Sequence, residues 1–195
     1  INFGAPDPYN FCKNGLEFVY QNKLLEADGE LLNDLLNDIN TADIAERKQG
    51  RLTNGQQSAG NLFKRPEQSF RTLAELIKQE FLRYKNKFSK ADCELILSFP
   101  AELEFTSSWY VKMQQGGHLS AHIHEIGWIS GAVYLAMPPR NGVEGAFEYG
   151  THGDEYPIVP PKTTADFPTT HIMPRVGDIV LFPSSLFHRT IPFSS

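Results

Sequence analysis

Residues 118–136 read HLSAHIHEIGWISGAVYLA. In an extended stretch from Leu119 to His124, side chains alternate between faces, so His122 and His124 share one side while Ile123 points to the other. The run Trp128 to Ala136 divides in the same way. One face carries Trp128, Ser130, Ala132, Tyr134 and Ala136, a mixture of small and polar groups suited to lining a ligand cavity. The opposite face carries Ile129, Gly131, Val133 and Leu135, an aliphatic strip suited to packing on helices. The pattern thus predicts two strands that set a pair of imidazoles beside a half-polar interior.

Downstream, Gly177 to His188 reads GDIVLFPSSLFH. A Gly-Asp turn feeds a buried strand, Pro183 ends it, and His188 follows 66 positions after His122. Two ligands on one strand and a third from a distant strand form a facial set that leaves neighbouring coordination positions open. Further short β-branched and aromatic runs, separated by Gly and Pro, predict strands at Leu95–Phe99, Ser108–Gln114, Gly145–Tyr149, His171–Met173, Asp178–Phe182 and His188–Phe193. The Pro-rich run Tyr156 to Pro168 is expected to be a loop or an edge excursion.

The N-terminal half has a different period. Leu31, Leu32, Leu35, Leu36 and Ile39 predict a helix that starts after Asp28-Gly29 and fades toward Gly50. Phe70, Leu73, Ile77, Phe81, Tyr84 and Phe88 predict a second, longer one starting near Pro66. Between them, Gly50 to Leu62 (GRLTNGQQSAGNL) reads as a long surface loop. The expected class is α+β: two long N-terminal helices packed on one face of a sandwich or barrel. We expect a single domain over 1–195, with a helical support region at 28–90 and a β core at 95–195. Because Ile1 is not Met, the chain is expected to be a fragment of a longer protein.

Composition narrows the function. The chain has 195 residues, enough to bury a core without a metal or disulfide framework. No apolar run reaches the roughly 20 residues needed to span a bilayer, and Ile1 to Asn10 has no secretory signal pattern. Two cysteines, Cys12 and Cys93, stand outside any CxxC context, which points to a reducing cytoplasmic location. A net charge of −5 argues against a general affinity for nucleic acid. The charge is uneven, however: Arg47 to Lys90 holds 11 Lys or Arg against Glu67, Glu75 and Glu80, a local +8. That segment reads first as a solvated basic face and second as a surface for an anionic partner. Neither the P-loop pattern G-x-x-x-x-G-K-[ST] nor the nucleophile elbow G-x-S-x-G occurs.

From Ser108 to Phe193 the residues resemble the 2-oxoglutarate/Fe(II)-dependent oxygenases, whose core is a double-stranded β-helix of jelly-roll, cupin-like form. The features that carry the resemblance are the Gly116-Gly117 turn, the H-x-H at 122–124, the run Gly127 to Leu135, and the GDIVLFPSSLFH ending. The loop Leu52 to Phe63 and the HEIGWISG run also resemble a subgroup often linked to tetratricopeptide repeats. The resemblance implies Fe(II) and 2-oxoglutarate as cofactors, and a dioxygenase that hydroxylates a substrate while decarboxylating 2-oxoglutarate. That substrate would be a small molecule or a protein side chain.

Position by position, the resemblance places metal ligands on His122, His124 and His188. At His124 the chain departs from the family, which carries a carboxylate there; Glu125 and Glu148 are the alternative carboxylates. The resemblance implies co-substrate contacts from Tyr110, Ser130, Tyr134 and Arg189, with Lys112 and Arg140 as further cations, and a substrate pocket at His118 and Trp128. Trp109 is a further candidate to shape the cavity. Met113 replaces the family's usual tyrosine, and the family's carboxylate-binding Arg would fall at position 198, past Ser195. His152 and His171 read as structural or surface residues. Two other readings stay open: a tri-histidine cupin-type metalloenzyme that uses no 2-oxo acid, and an inactive oxygenase-like module that binds an anionic partner.

Overall fold

The computed structural model describes residues 9–153, 155–158 and 167–194. Residues 1–8, at the chain start, and 159–166, within the Pro-rich run, lie outside the described residues, as does Ser195. In order, the elements are β1 (Tyr20–Lys23), α1 (Glu30–Thr41), β2 (Glu46–Arg47), β3 (Leu52–Ser58), α2 (Gln68–Lys87), α3 (Glu94–Leu97), β4 (Val111–Leu119), β5 (Ile129–Val133), β6 (Phe147–Tyr149), β7 (Thr170–Ile172), β8 (Asp178–Pro183) and β9 (His188–Thr190). The described strands form three antiparallel sheets ordered β1-β8-β5, β2-β3-β4 and β7-β6-β9. No helix among the described residues is long and apolar enough to cross a membrane.

Strand β8 explains the layering. All six of its residues are buried, as a strand covered on both faces requires. Ile179 and Leu181 point into the main core with Leu32, Leu35, Phe70, Leu73, Ile77 and Tyr84 from α1 and α2. Val180 and Phe182 point the other way and pack with Phe147, Tyr134 and Tyr149. The helices therefore cover one face of the β1-β8-β5 sheet, and the β7-β6-β9 sheet approaches the other. A buried carboxylate joins the helical layer to the sheet: Glu80 accepts hydrogen bonds from the Tyr20 hydroxyl (2.9 Å) and Asn22 Nδ2 (3.0 Å) and pairs with Arg83. Burial and that carboxylate push the Tyr20 hydroxyl up to about 12.

Several expectations need correction. The helical region holds one helix of 12 residues, one of 20 and a short one of four, rather than two long helices. Helix α1 stops at Thr41, whose hydroxyl folds back onto the Asn37 carbonyl, and Ala42 is already extended. The Gly50–Leu62 stretch is not a loop: Leu52–Ser58 is β3, the centre of the second sheet. Its sequence, LTNGQQS, is polar on both faces, so the backbone ladder to β4 holds it rather than an apolar stripe. A bulge between Thr53 and Gly55, with Asn54 at φ 46°, shifts its register. Leu95–Phe99 is not a strand: Glu94–Leu97 is the short helix α3, and the Ile96 and Leu97 amides donate to the Cys93 carbonyl. The strand expected from Leu119 to His124 reduces to one bridge, His122 with His188, while β4 itself ends at Leu119.

Candidate metal centre

The imidazoles are brought together by backbone pairing. His122 and His188 exchange both backbone hydrogen bonds at 3.0 Å, and two residues on the His124 amide donates to the Ser184 carbonyl at 2.9 Å. His122 and His124 therefore ride on one extended segment laid against residues 184–188, and all three rings fall on the same side. Gly127, at φ +136°, makes the turn from this segment into β5; a Cβ there would lie 3.0 Å from Ser184 Oγ.

One ring nitrogen from each of His122, His124 and His188 lies within 4.8 Å of the others, the one such group of three among the described residues. Ring centroids are 4.3 Å (122–188), 5.0 Å (124–188) and 5.3 Å (122–124) apart. Each Nδ1 faces an oxygen: the Ser120 carbonyl for His122 (2.7 Å), the Leu186 carbonyl for His188 (3.0 Å) and Ser130 Oγ for His124 (2.6 Å). A carbonyl can only accept, so Nδ1 of His122 and His188 carries the proton and Nε2 is left as the donor atom for a metal. Ser130 Oγ in turn shares a hydrogen bond with Ser184 Oγ (2.8 Å), which fixes the hydroxyl that orients His124.

Burial lowers the pKa of all three rings. His122 is pushed down by desolvation with a smaller contribution from Arg51. Desolvation, then His122 and Arg51, takes His124 down to about 4. Desolvation and His122 hold His188 well below the usual histidine range. Neutral imidazoles are what a divalent cation needs. His122, His124 and His188 could thus each offer one ring nitrogen to a single divalent ion. Phe182 and Phe147 wall the His188 ring at 4.4 and 5.5 Å, and Trp109 stands edge-on to His124 at 5.9 Å.

The other candidates fall elsewhere or in supporting positions. Glu148 is bonded to Arg189, its cross-strand partner, so neither group is free to join the histidines. Glu125 is exposed and accepts from the Tyr156 hydroxyl at 3.5 Å. The Tyr110 hydroxyl donates to Glu46 (2.8 Å), and Lys112 both pairs with Glu46 (2.9 Å) and lies over the Tyr110 ring. Trp128 turns toward the helices, its indole N–H donating to the Leu95 carbonyl at 2.9 Å and its ring meeting Phe11. His118 sits on β4 opposite Thr53, with Nδ1 on the Gly116 carbonyl. Tyr134 packs with Phe182 and Phe147, which also touch His188. Arg140 has a buried Nη1 without a hydrogen-bond partner among the described residues. His171 is exposed, whereas His152 is buried and stacks on Phe167 at 4.7 Å. Sequence reasoning missed the support given by Ser184 and the nearness of Arg51; it singled out Ser130 as a co-substrate contact, whereas the Ser130 hydroxyl is engaged by His124 Nδ1 and Ser184 Oγ.

These features define a histidine-based candidate metal centre inside an antiparallel β fold. Residues 107–195, the part of the chain that carries the trio, match the family model described as "Putative 2OG-Fe(II) oxygenase". Among solved structures, a prolyl-4-hydroxylase from Pseudomonas putida is similar at TM-score 0.59 and 14% identity, over 91% of this chain and 86% of that one. A prolyl hydroxylase from Trichoplax adhaerens, solved with a hypoxia inducible factor oxygen degradation domain peptide fragment, aligns at TM-score 0.59 and 15% identity, over 94% of this chain and 80% of that one. The fold is thus prolyl-hydroxylase-like. No curated protein sequence matches the chain.

Proposed function

We propose that the protein is an Fe(II)- and 2-oxoglutarate-dependent dioxygenase that hydroxylates an organic substrate. The observation that carries this reading is the convergence of His122, His124 and His188, with each Nδ1 engaged by an oxygen, inside the segment that matches the oxygenase family. His122, His124 and His188 would hold the iron, which, when bound with the 2-oxo acid, supplies the oxidising chemistry. The chain's own residues do the rest: Ser130 and two backbone carbonyls orient the rings, and the buried Phe147 and Phe182 keep water from the His188 side. We read the three sheets with their helical cover as a double-stranded β-helix, one domain over the whole chain, working in the cytoplasm. A side chain within a peptide is a candidate substrate, because one structural neighbour was solved with a peptide.

The test is anaerobic reconstitution with Fe(II), followed by addition of 2-oxoglutarate and oxygen. The expected results are one iron per chain, lost in His188→Ala, and formation of succinate. Failure to take up iron would overturn the reading. One feature favours a second reading: the group of three contains no carboxylate, as in a tri-histidine metalloenzyme that uses no 2-oxo acid. Iron uptake without any calorimetric response to 2-oxoglutarate would select that alternative.

A further inference from the structure

A cavity of about 470 Å³ opens between β1 and the turn that leads into β8, lined by Gln21, Asn22, Lys23, Met173, Arg175 and Asp178. Asp178 begins β8, and Ser184, whose carbonyl accepts from the His124 amide, lies just past its other end. At about 3.3 Å per residue the cavity therefore stands roughly 20 Å from the candidate metal centre. One tight turn sets its two cations. The Asp178 amide donates to the Arg175 carbonyl at 3.0 Å, and the Arg175 amide donates to the Asp178 carboxylate at 2.8 Å. Gly177 completes the turn at φ +88°, where a Cβ would lie 2.0 Å from the Leu25 carbonyl and 3.2 Å from Lys23 Cε. The Lys23 stem thus runs over the turn, and its Nζ reaches the Val176 carbonyl at 3.5 Å.

The charges around this cavity do not cancel. Asp178, the cross-strand partner of Lys23, is buried, and its carboxylate is already spent on Gln21 Nε2 (2.8 Å) and the Arg175 amide. The ion pair of Lys23 is with Glu26 at 3.9 Å, and Glu26 is 79% exposed. A pair so long and so wet is weak, and an anion that sits closer would displace it. Arg175 is exposed and has no ion pair among the described residues. Two cations beside one satisfied carboxylate leave an excess of positive charge, which a doubly charged oxyanion can meet at both groups.

We propose that this cavity binds the phosphoryl group of a small ligand, held between Lys23 and Arg175. Arg175 offers a planar fork of N–H donors and Lys23 a mobile point charge, and the two together suit a phosphate dianion. A monocarboxylate would neutralise only one of them. The site lies at the opposite end of β8 from the histidines and does not depend on the oxygenase reading.

The Arg175 Nε–H and Lys23 CεH2 resonances are followed in the purified full chain during titration with inorganic phosphate and, at matched ionic strength, with acetate and with chloride. The expected result is a saturable shift of both resonances with phosphate, against small, unsaturating shifts with the other two anions. Arg175→Gln and Lys23→Gln, both at exposed positions, should each weaken phosphate about fivefold, the factor carried by a well-placed exposed ion pair. The double variant should lose saturation altogether. His188→Ala, which disrupts the candidate metal centre, should leave phosphate binding unchanged. No shift with phosphate, an equal response to chloride, or unchanged affinity in both single variants overturns the site. Equal affinity for acetate overturns the assignment to a phosphoryl group. Phosphate binding that is lost in His188→Ala but kept in the double variant would place the anion at the histidines and overturn the proposal as well.

Discussion

Each imidazole of the trio spends Nδ1 on an oxygen, but the three oxygens are not equivalent. His122 and His188 lean on backbone carbonyls, which no substitution removes, whereas His124 leans on the hydroxyl of Ser130. Ser130→Ala therefore isolates the contribution of ring orientation. Loss of such a supporting group typically costs about 10- to 100-fold in metal affinity. The expected outcome for Ser130→Ala is a loss in that range with unchanged circular dichroism, while His188→Ala abolishes binding; competition against a chelating indicator measures both. At this scale the sequence was informative where chemistry is local: the H-x-H spacing and the GDIVLFPSSLFH ending pointed to the three rings. Arg51 was not legible, because its nearness to His122 comes from β3 pairing with β4, and neither was the bond from Arg189 to its cross-strand partner Glu148, which comes from a strand some forty residues away.

At the scale of the element, β8 separates stability from site geometry within adjacent residues. Leu181 faces the helices, so Leu181→Ala is expected to cost about 2–5 kcal/mol in chemical denaturation and to leave metal affinity unchanged. Phe182 faces His188 at 4.4 Å, and Phe182→Leu should disturb metal binding more than its smaller loss of volume disturbs stability. The second sheet depends on charge instead. Glu46 of β2 is held below the usual carboxylate range by hydrogen bonds from Lys112 and Tyr110 of the β4 side, and Lys112 also reaches the Ile39 carbonyl at 3.3 Å. A lowered carboxylate stabilises the fold above its unfolded pKa and loses that contribution as pH falls through the folded value. The stability gap between wild type and Glu46→Gln should therefore be open at pH 6 and close below about pH 4. Tyr110 has the opposite sign: burial and Glu46 raise it to about 12, so its contribution fades as pH climbs from about 10. Strand β8 could be read from its uninterrupted apolar run and α2 from its period, but β3 could not, since LTNGQQS has no apolar face to announce a strand. The same limit hid α3, where Leu and Ile in a four-residue helix read equally well as a strand.

At the scale of the whole molecule, the candidate centre joins parts of the chain that the sheets hold only by short ladders. His122 and His124 lie on a segment whose described pairing with residues 184–188 is one bridge and one further backbone hydrogen bond, and β9, which carries His188, spans three residues. The helical core, by contrast, is anchored by deeply buried Tyr84, Phe70, Leu35 and Leu181. A ligand shared by the two weakly tied segments should therefore stabilise the β half more than the helical half. Metal binding to the folded state alone adds RT ln(1 + [M]/Kd), about 2.7 kcal/mol at one hundred times Kd. The expected outcome is a higher melting temperature with Fe(II) under anaerobic conditions, absent in His122→Ala. Hydrogen exchange should slow most at residues 120–124 and 184–190 and least in α2, because only the first two segments gain a cross-link. Equal slowing throughout would mean that these segments already open only with the whole fold, and protection confined to α2 would place the metal away from the histidines.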